Sequence, residues 1–388
     1  MILPEGSPPG DRFRRVTFMV AVIGLGLLAL LKLGSEFHRL LLDPGPNGAV
    51  DLVFRHEETR LWFAGVPIYQ TLDRITYPPA AYLCFWPLLG WVGLPGARVL
   101  WALTAAGMLA LLVGLMLQAS GAVNRPERIL VGLIVLSMNA VGVAIGNGQL
   151  VLHLLPPLLG ALLLLRGEAS LSREIGAAGL VLIALAKPTI SLPFLWVALA
   201  VARRIRPFAL IIALYLIATL VSSTFQSANP VELAVAWIRQ SGRYLEGGYG
   251  DLQTALLSLN LAGWANPGAL AAFLIAGIWI WIHRDADFWI LVGMAALVAR
   301  LWTYHRNYDD TVVVLAIIAL FRAARGGSTG TKPDRLAGIL CVMAVVAMLA
   351  PARLEFGVPP LDSLYVWGHA LAWITMLIYL GRKAAVAG

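Results

Sequence analysis

Residues 182–192 read LIALAKPTISL, inside a run from 175 to 202 that is otherwise almost wholly apolar. A lysine at the centre of such a run is costly when it faces hydrocarbon, and the proline after it removes a helical hydrogen bond. What Lys187 and Pro188 do therefore depends on whether the run lies in a membrane, and composition decides that. The chain of 388 residues is 59% hydrophobic and 13% charged, with a mean hydropathy of +0.79. A soluble domain carries about 25% charged residues. Successive apolar segments of roughly 15 to 21 residues, near the length that spans a bilayer, fill most of the sequence and carry Trp and Tyr at their edges. These features predict an all-α polytopic membrane protein.

Twelve spans are expected, at 16–33, 98–118, 129–145, 150–165, 175–187, 188–202, 207–225, 267–283, 287–302, 309–323, 336–350 and 364–381. The apolar segment 79–94 is left over, as a thirteenth span or as a re-entrant or interfacial helix. The re-entrant reading puts most of the 29 Lys and Arg on one side, together with both termini, and the positive-inside bias makes that side cytoplasmic. Arg12, Arg14 and Arg15 precede the first apolar run, which continues without a small-residue cleavage site and so reads as a span rather than a signal peptide. Cys84 and Cys341 stand in separate apolar segments and suggest packing residues. The net charge of +8 is accounted for by basic loops; no basic block with interleaved aromatics points to nucleic acid.

This arrangement makes residues 1–388 one membrane domain with two long outer loops, 34–97 and 226–266. The polar features then share the outer side: the first loop, GNGQ (146–149), the Lys187-Pro188 break, the loop 226–266, WTYHRNYDD (302–310) and the loop 351–363. The inner loops are short and basic, apart from a Gly-rich linker, RAARGGSTGTKPDR (322–335), that reads as flexible.

The first loop concentrates the scarce acidic residues, Glu36, Asp43, Asp51, Glu57, Glu58 and Asp73, among Arg39, Arg55, Arg60 and Arg74. The bland interpretation is an amphipathic surface helix with solvated charges, held down by Leu52, Val53, Leu61, Trp62 and Phe63. Lys187 has two plain explanations, snorkelling to the interface or pairing with a carboxylate. Asn147-Gly148 reads as a turn or a polar contact, and His153 as packing or a ligand. In the second loop, Leu233, Trp237 and Tyr244 suit a surface helix, either inert or a lid. A metal site is not expected: the six His are dispersed, no HExxH stands in an outer loop, and the side chains of Asp309 and Asp310 diverge. No nucleotide-phosphate loop is present, and no cofactor is expected.

One pattern singles out Asp51. Asp51, FAGVPIY (63–69) and TYPPAAYLCFWPLLG (76–90) together resemble membrane glycosyltransferases of the GT-C superfamily that use polyprenyl-phosphate sugars, and most nearly family 87, which includes phosphatidylinositol mannoside mannosyltransferases. The matching positions are Asp51, Gly65, Tyr69, Tyr77, Pro78 and Pro79. The resemblance continues through GNGQLVLHLLPPLLGALLLLRG (146–167) and the Lys-Pro break of GLVLIALAKPTISLPFL (179–195). At 301–310 the Trp-x-x-His spacing of Trp302 and His305 fits, although the Ser-Pro common before it is absent. GDLQTALLSL (250–259) offers only Gln253-Thr254 where many members have Asn-x-Ser.

The resemblance implies a GT-C-like bundle of about twelve helices in the inner (plasma) membrane, with a catalytic first extracytoplasmic loop. It implies an inverting transferase that moves a sugar, with mannose favoured, from a polyprenyl-phosphate donor to a glycolipid or envelope-glycan hydroxyl. Asp51 would be the base. Lys187, His305 and Arg306 would hold the donor phosphate. Tyr69, Tyr77, Asn147, Gln149, Trp302 and Gln253 would contact substrate. The alternative function is a transporter or flippase of lipids or lipid-linked sugars, which a buried Lys187 and a polar outer cavity would also serve. Such proteins often show matched interrupted helices in paired halves, and this chain has one.

Overall fold

The computed structural model describes residues 9–73, 75–242, 249–326, 333–351, 354 and 358–387, and among them every regular element is helical. The chain opens with α1 (Pro9–Leu42), followed by three short helices, α2 (Val50–Phe63), α3 (Ile68–Thr71) and α4 (Pro79–Leu89), and then α5 (Leu94–Ala119). The bent pair α6 (Arg125–Ser137) and α7 (Asn139–Asn147) leads to α8 (Val151–Arg166). Next, α9 (Leu171–Ala184) and α10 (Pro188–Ala202) flank the Lys187 break, and α11 (Arg206–Ser223) enters the long loop that holds α12 (Pro230–Ser241) and α13 (Leu252–Ser258). The helices α14 (Ala265–Ile282), α15 (Phe288–Leu301), α16 (Val314–Ala324), α17 (Arg335–Leu349) and α18 (Leu361–Ala387) complete the order.

Local chemistry sets several starts. Asn229 and Glu232 form a reciprocal capping box at the head of α12, and Asp251 accepts from the Thr254 N–H to begin α13. Pro188 occupies the first turn of α10, where its missing N–H costs nothing, while Lys187 before it leaves the helical region (φ −125°, ψ 84°).

The helices are of two kinds, and this corrects the expected count of twelve spans. Among the described residues, five are long and apolar enough to cross a membrane: Val16–Leu42, Leu94–Ala119, Arg206–Ser223, Ala262–Ile282 and Leu361–Val386; the α6–α7 pair, bent by 46°, makes a sixth if it is one span. The other apolar runs are shorter helices of 10–17 residues. A helix rises 1.5 Å per residue, so the 15 residues of α10 reach only about 22 Å, short of a hydrocarbon core about 30 Å thick. Burial follows this division only in part, since short α17 exposes Ile339, Val342 and Val346. Long α1 and α14 expose Leu30, Leu31, Ile275 and Ile282, as lipid-facing helices do, whereas α15 is buried from Phe288 to Arg300 and α8 through most of its length. Apolar length alone cannot distinguish a helix buried by its neighbours from one bathed in lipid. The protein is thus an all-α, multi-pass membrane protein in which long apolar helices pack with shorter ones, α8 and α15 among them buried through most of their length.

Helix α4, the leftover segment, has 11 residues with Pro87 inside it and is too short to cross a bilayer. Ion pairs gather at the helix ends remote from residue 187 and the segment 302–310: Glu174 with Arg204 and Arg206, Arg325 with Glu127, and Lys383 with Asp334. Most of the Gly-rich linker, Tyr244, Arg74 and much of 351–363 lie outside the described residues.

Candidate active site

Helix α2 is seated on the end of α7 by backbone. The Ala49 N–H donates to the Gly146 carbonyl at 3.2 Å, and Gly148 closes α7 in the left-handed conformation (φ 71°). A Cβ at Gly148 would stand 2.4 Å from the Leu52 Cβ, so only glycine allows this approach. The consequence is local: the next residue, Gln149, hydrogen-bonds the Asp51 carboxylate. The Gln149 Oε1 has no partner among the described residues, which makes its amide N–H the donor to Asp51. Asn147 instead accepts from Arg39 Nη1 at 2.7 Å, and Arg39 pairs with Glu36, so this amide ties α7 to α1. His153 packs in the core, 2.9 Å from Thr104 Oγ1 and against the Trp101 ring.

Asp51 keeps some accessible surface although protein surrounds it, which is the signature of a cleft wall. Burial raises its carboxyl above the usual value, while the Gln149 hydrogen bond and then the charges of Arg55, Lys187 and Arg306 pull it down. Tyr77, Tyr304 and Tyr308 in turn each sense the Asp51 charge. The first loop, α10 and the segment 302–310 therefore meet at Asp51.

At the α9–α10 break, Lys187 Nζ lies 2.5 Å from Asp309 Oδ1 and 5.3 Å from the Tyr308 ring centroid. Asp310 pairs separately with Arg300. The two neighbouring carboxylates thus diverge, each to its own cation.

The segment 302–310 is held from beneath. Gln253 Oε1 accepts from Thr303 Oγ1 (2.5 Å) and the Tyr304 N–H (2.9 Å), and its Nε2 donates to Asn266. Trp302 Nε1 donates to the Thr189 carbonyl at 2.7 Å, which ties the segment to the first turn of α10. His305 is fully buried; its Nδ1 lies 2.7 Å from the Thr303 carbonyl and so carries the proton, while Nε2 has no partner among the described residues. Burial lowers the His305 pKa, against the pull of Asp309, and keeps the ring neutral. In this tautomer Nε2 accepts, and it suits a hydroxyl rather than a phosphate oxygen. Arg306 donates from Nε to the Tyr304 hydroxyl at 2.8 Å and lies 5.6 Å from the Tyr249 ring centroid. No carboxylate among the described residues is ion-paired to its guanidinium.

A second charged group lies one turn further along α2. Arg55 Nη2 is 2.6 Å from Glu58 Oε1, and the guanidinium sits 4.5 Å from the Tyr77 ring centroid. The pair is almost wholly buried, and burial pushes the Glu58 carboxyl up to about 7 in spite of Arg55. Tyr69 donates its hydroxyl to the Tyr77 carbonyl at 2.7 Å, bracing that turn.

An apolar cavity of about 920 Å³ runs between α14, α15 and α18. Asp251 and Trp302 line it, as do Gly381 and Arg382.

The model of glycosyltransferase family 87 matches residues 75–324, more than half of the chain. The chain belongs to glycosyltransferase family 87. No curated protein and no solved structure matches it significantly. In this family-87 transferase the matched segment holds Tyr77, Asn147, Gln149, Lys187, Gln253, Trp302, His305 and Arg306, whereas Asp51 and Tyr69 precede it.

Of the candidates read from the sequence, the fold brings Tyr77, Gln149, Lys187 and Arg306 within electrostatic reach of Asp51, and it buries His305. Tyr69, Asn147, Gln253 and Trp302 spend their polar groups on protein partners in the surrounding wall. The sequence reading missed Asp309 as the partner of Lys187 and the burial of Arg55 and Glu58. Arg55 and Glu58 do stand at i, i+3 spacing, but nothing in the sequence distinguishes that from a solvated surface pair.

Proposed function

We propose that this family-87 transferase moves a sugar from a polyprenyl-phosphate donor to a hydroxyl of a glycolipid or envelope glycan, with inversion, at the extracytoplasmic face of the plasma membrane. One observation carries the reading: a carboxylate raised by burial, Asp51, shares a cleft with Lys187 and Arg306. Transfer from a sugar phosphate needs a base for the incoming hydroxyl and positive charge for the departing phosphate. The acceptor oxygen attacks C1 of the sugar, its proton passes to Asp51, and the C1–O bond breaks with its electron pair going to the phosphate. A single displacement of this kind inverts C1.

Arg306 is the first choice for the leaving phosphate, since no carboxylate among the described residues is ion-paired to its guanidinium, which Tyr304 and Tyr249 brace. Lys187, its charge matched by Asp309, supports the phosphate at second remove or turns to it when the donor enters. Gln149 Oε1 and His305 Nε2, acceptors with no partner among the described residues, would reach sugar hydroxyls if donor entry opens the wall that buries them. The apolar cavity beside Trp302 offers room for an isoprenoid tail. Mannose is the sugar that the resemblance favours.

Purified protein incubated with a panel of polyprenyl-phosphate sugars and membrane glycolipids, its products read by mass spectrometry, tests the proposal. Lipid-dependent transfer of one sugar supports it. Transfer from nucleotide sugars alone, or movement of lipid-linked sugar across a vesicle bilayer without transfer, would overturn it.

A further inference from the structure

We infer that Arg55 is a positioning residue for the Asp51 base, and that Glu58 and Tyr77 hold its guanidinium one helical turn away from Asp51 so that it cannot close on the carboxylate. The inference rests on Asp51 being the base.

The geometry on α2 is the starting point. Asp51, Arg55 and Glu58 follow one another at i, i+4 and i+7, so they share one face of the helix, and that face is turned inward. An arginine four residues beyond an aspartate ordinarily swings back to pair with it. Here Arg55 points the other way: Nη2 meets Glu58 Oε1 at 2.6 Å, and the plane lies over Tyr77 at 4.5 Å. Tyr82 donates to the second Glu58 oxygen at 3.4 Å, a weak contact that nonetheless fixes which way the carboxylate faces. Arg55 Nη1 is buried with no partner among the described residues, an unspent donor that a guanidinium free to choose would satisfy.

This arrangement has a use. A base in a dry cleft faces two opposite failures. Without a nearby cation, burial raises its pKa until it is protonated at working pH. In direct contact with an arginine, its pKa falls and its lone pairs are occupied, so it no longer takes a proton from a hydroxyl. Arg55 restrained by Glu58 acts between these limits, through space. Asp51 meets Gln149 from the α7–α8 junction, Lys187 from the head of α10 and Arg306 from the 302–310 segment, with Tyr77, Tyr304 and Tyr308 around it; Arg55 is the largest of the three cationic influences on it. Arg55 itself faces Glu58, Tyr77, Tyr82 and Asp51. Lys187 has its own carboxylate and Arg306 faces the leaving group, which leaves Arg55 to set the base.

The test is the acidic limb of the kcat/KM profile, the midpoint at which transfer is lost as pH falls. Glu58, raised to about 7, is charged only toward the top of the acidic range and also acts on Asp51 directly, so Glu58→Gln is the control for that charge and should move the limb to lower pH by less than about one unit. Arg55→Met should move it about one unit the other way. The double variant R55M/E58Q should lie close to the Arg55→Met limb, and any remaining difference from it is the direct effect of the Glu58 charge on Asp51. A pair that serves packing alone would lower expression or turnover with the limb unmoved in every variant, and that result overturns the inference. If Arg55→Met does not fold, Arg55→Gln, which keeps hydrogen bonding but not charge, takes its place, with an unmoved limb counting against the inference. Asp51→Asn is run beside them. If it retains transfer, the reading of Asp51 as base is what has failed; if it is inactive while the limb stays fixed in the other variants, only the role of Arg55 falls.

Discussion

Lys187 Nζ and Asp309 Oδ1 stand 2.5 Å apart, joining the break before α10 to the 3-10 turn Asn307–Val313 across 122 residues of sequence. The pair clamps the two segments that carry the cationic side of the cleft. With Asp309 only 3% exposed, removing the lysine strands a carboxylate away from water. Lys187→Met should therefore destabilise by about 3–5 kcal/mol, and K187M/D309L should recover much of the loss. Thermal unfolding in detergent, followed by tryptophan fluorescence, measures both; a parent-like midpoint for the single variant would show that the pair does not bear on stability.

Asp51→Asn keeps size and hydrogen bonding but cannot accept a proton. Transfer should fall by about 10²–10⁴-fold while binding of a donor analogue stays within a few fold. Retained turnover would shift attention to Glu58, a buried carboxyl on the same face of α2.

The pH dependence follows from the sign of the Asp51 shift. A base works when ionised, and burial raises the pH at which Asp51 ionises above the ordinary 3.8. The kcat/KM of the parent should fall as pH drops through that raised value, and remain level above it until another group titrates. A profile flat down to pH 4 would mean that no raised carboxyl is involved.

Gly148→Ala tests the seat of α2. The new Cβ would meet Leu52 at 2.4 Å on a backbone that already needs φ 71°, so α2 must shift and carry Asp51 away from Gln149. A stability loss of about 1–3 kcal/mol with a larger loss of turnover is expected. Gly146→Ala separates backbone strain from position, because its Cβ meets the flexible Glu36 and Arg39 side chains instead.

Arg306→Lys retains charge but loses the Tyr304 bond and the planar fork. It should weaken donor use at least tenfold, mostly in kcat if the contact grows as the phosphate departs. Transfer assays over a range of donor concentration resolve kcat from KM.

Several of these groups could be named without coordinates because unusual chemistry stands out against an apolar background. Lys187 interrupts 175–202, GNGQ interrupts two apolar runs, and the WTYHR segment sets charge among aromatics. The roles of their partners could not be read in the same way. Asp309 follows Lys187 by 122 residues, and Arg55 and Glu58 have the same spacing whether they face water or the cleft.

Composition alone established an all-α membrane chain, because 59% hydrophobic residues in long runs exceed what any soluble core of 388 residues can hold. The order of the motifs pointed to family 87, which the family model's match over residues 75–324 shows. The tertiary structure decided which apolar runs face lipid and which are enclosed, since hydrocarbon and protein interior select the same side chains and differ only in what surrounds them. It also decided that Lys187 is paired, that His305 presents an acceptor, and that Arg55 is held off Asp51. Each of these is set by distances of a few ångströms between residues remote in sequence or by the way a helix face turns, and neither is written in local pattern.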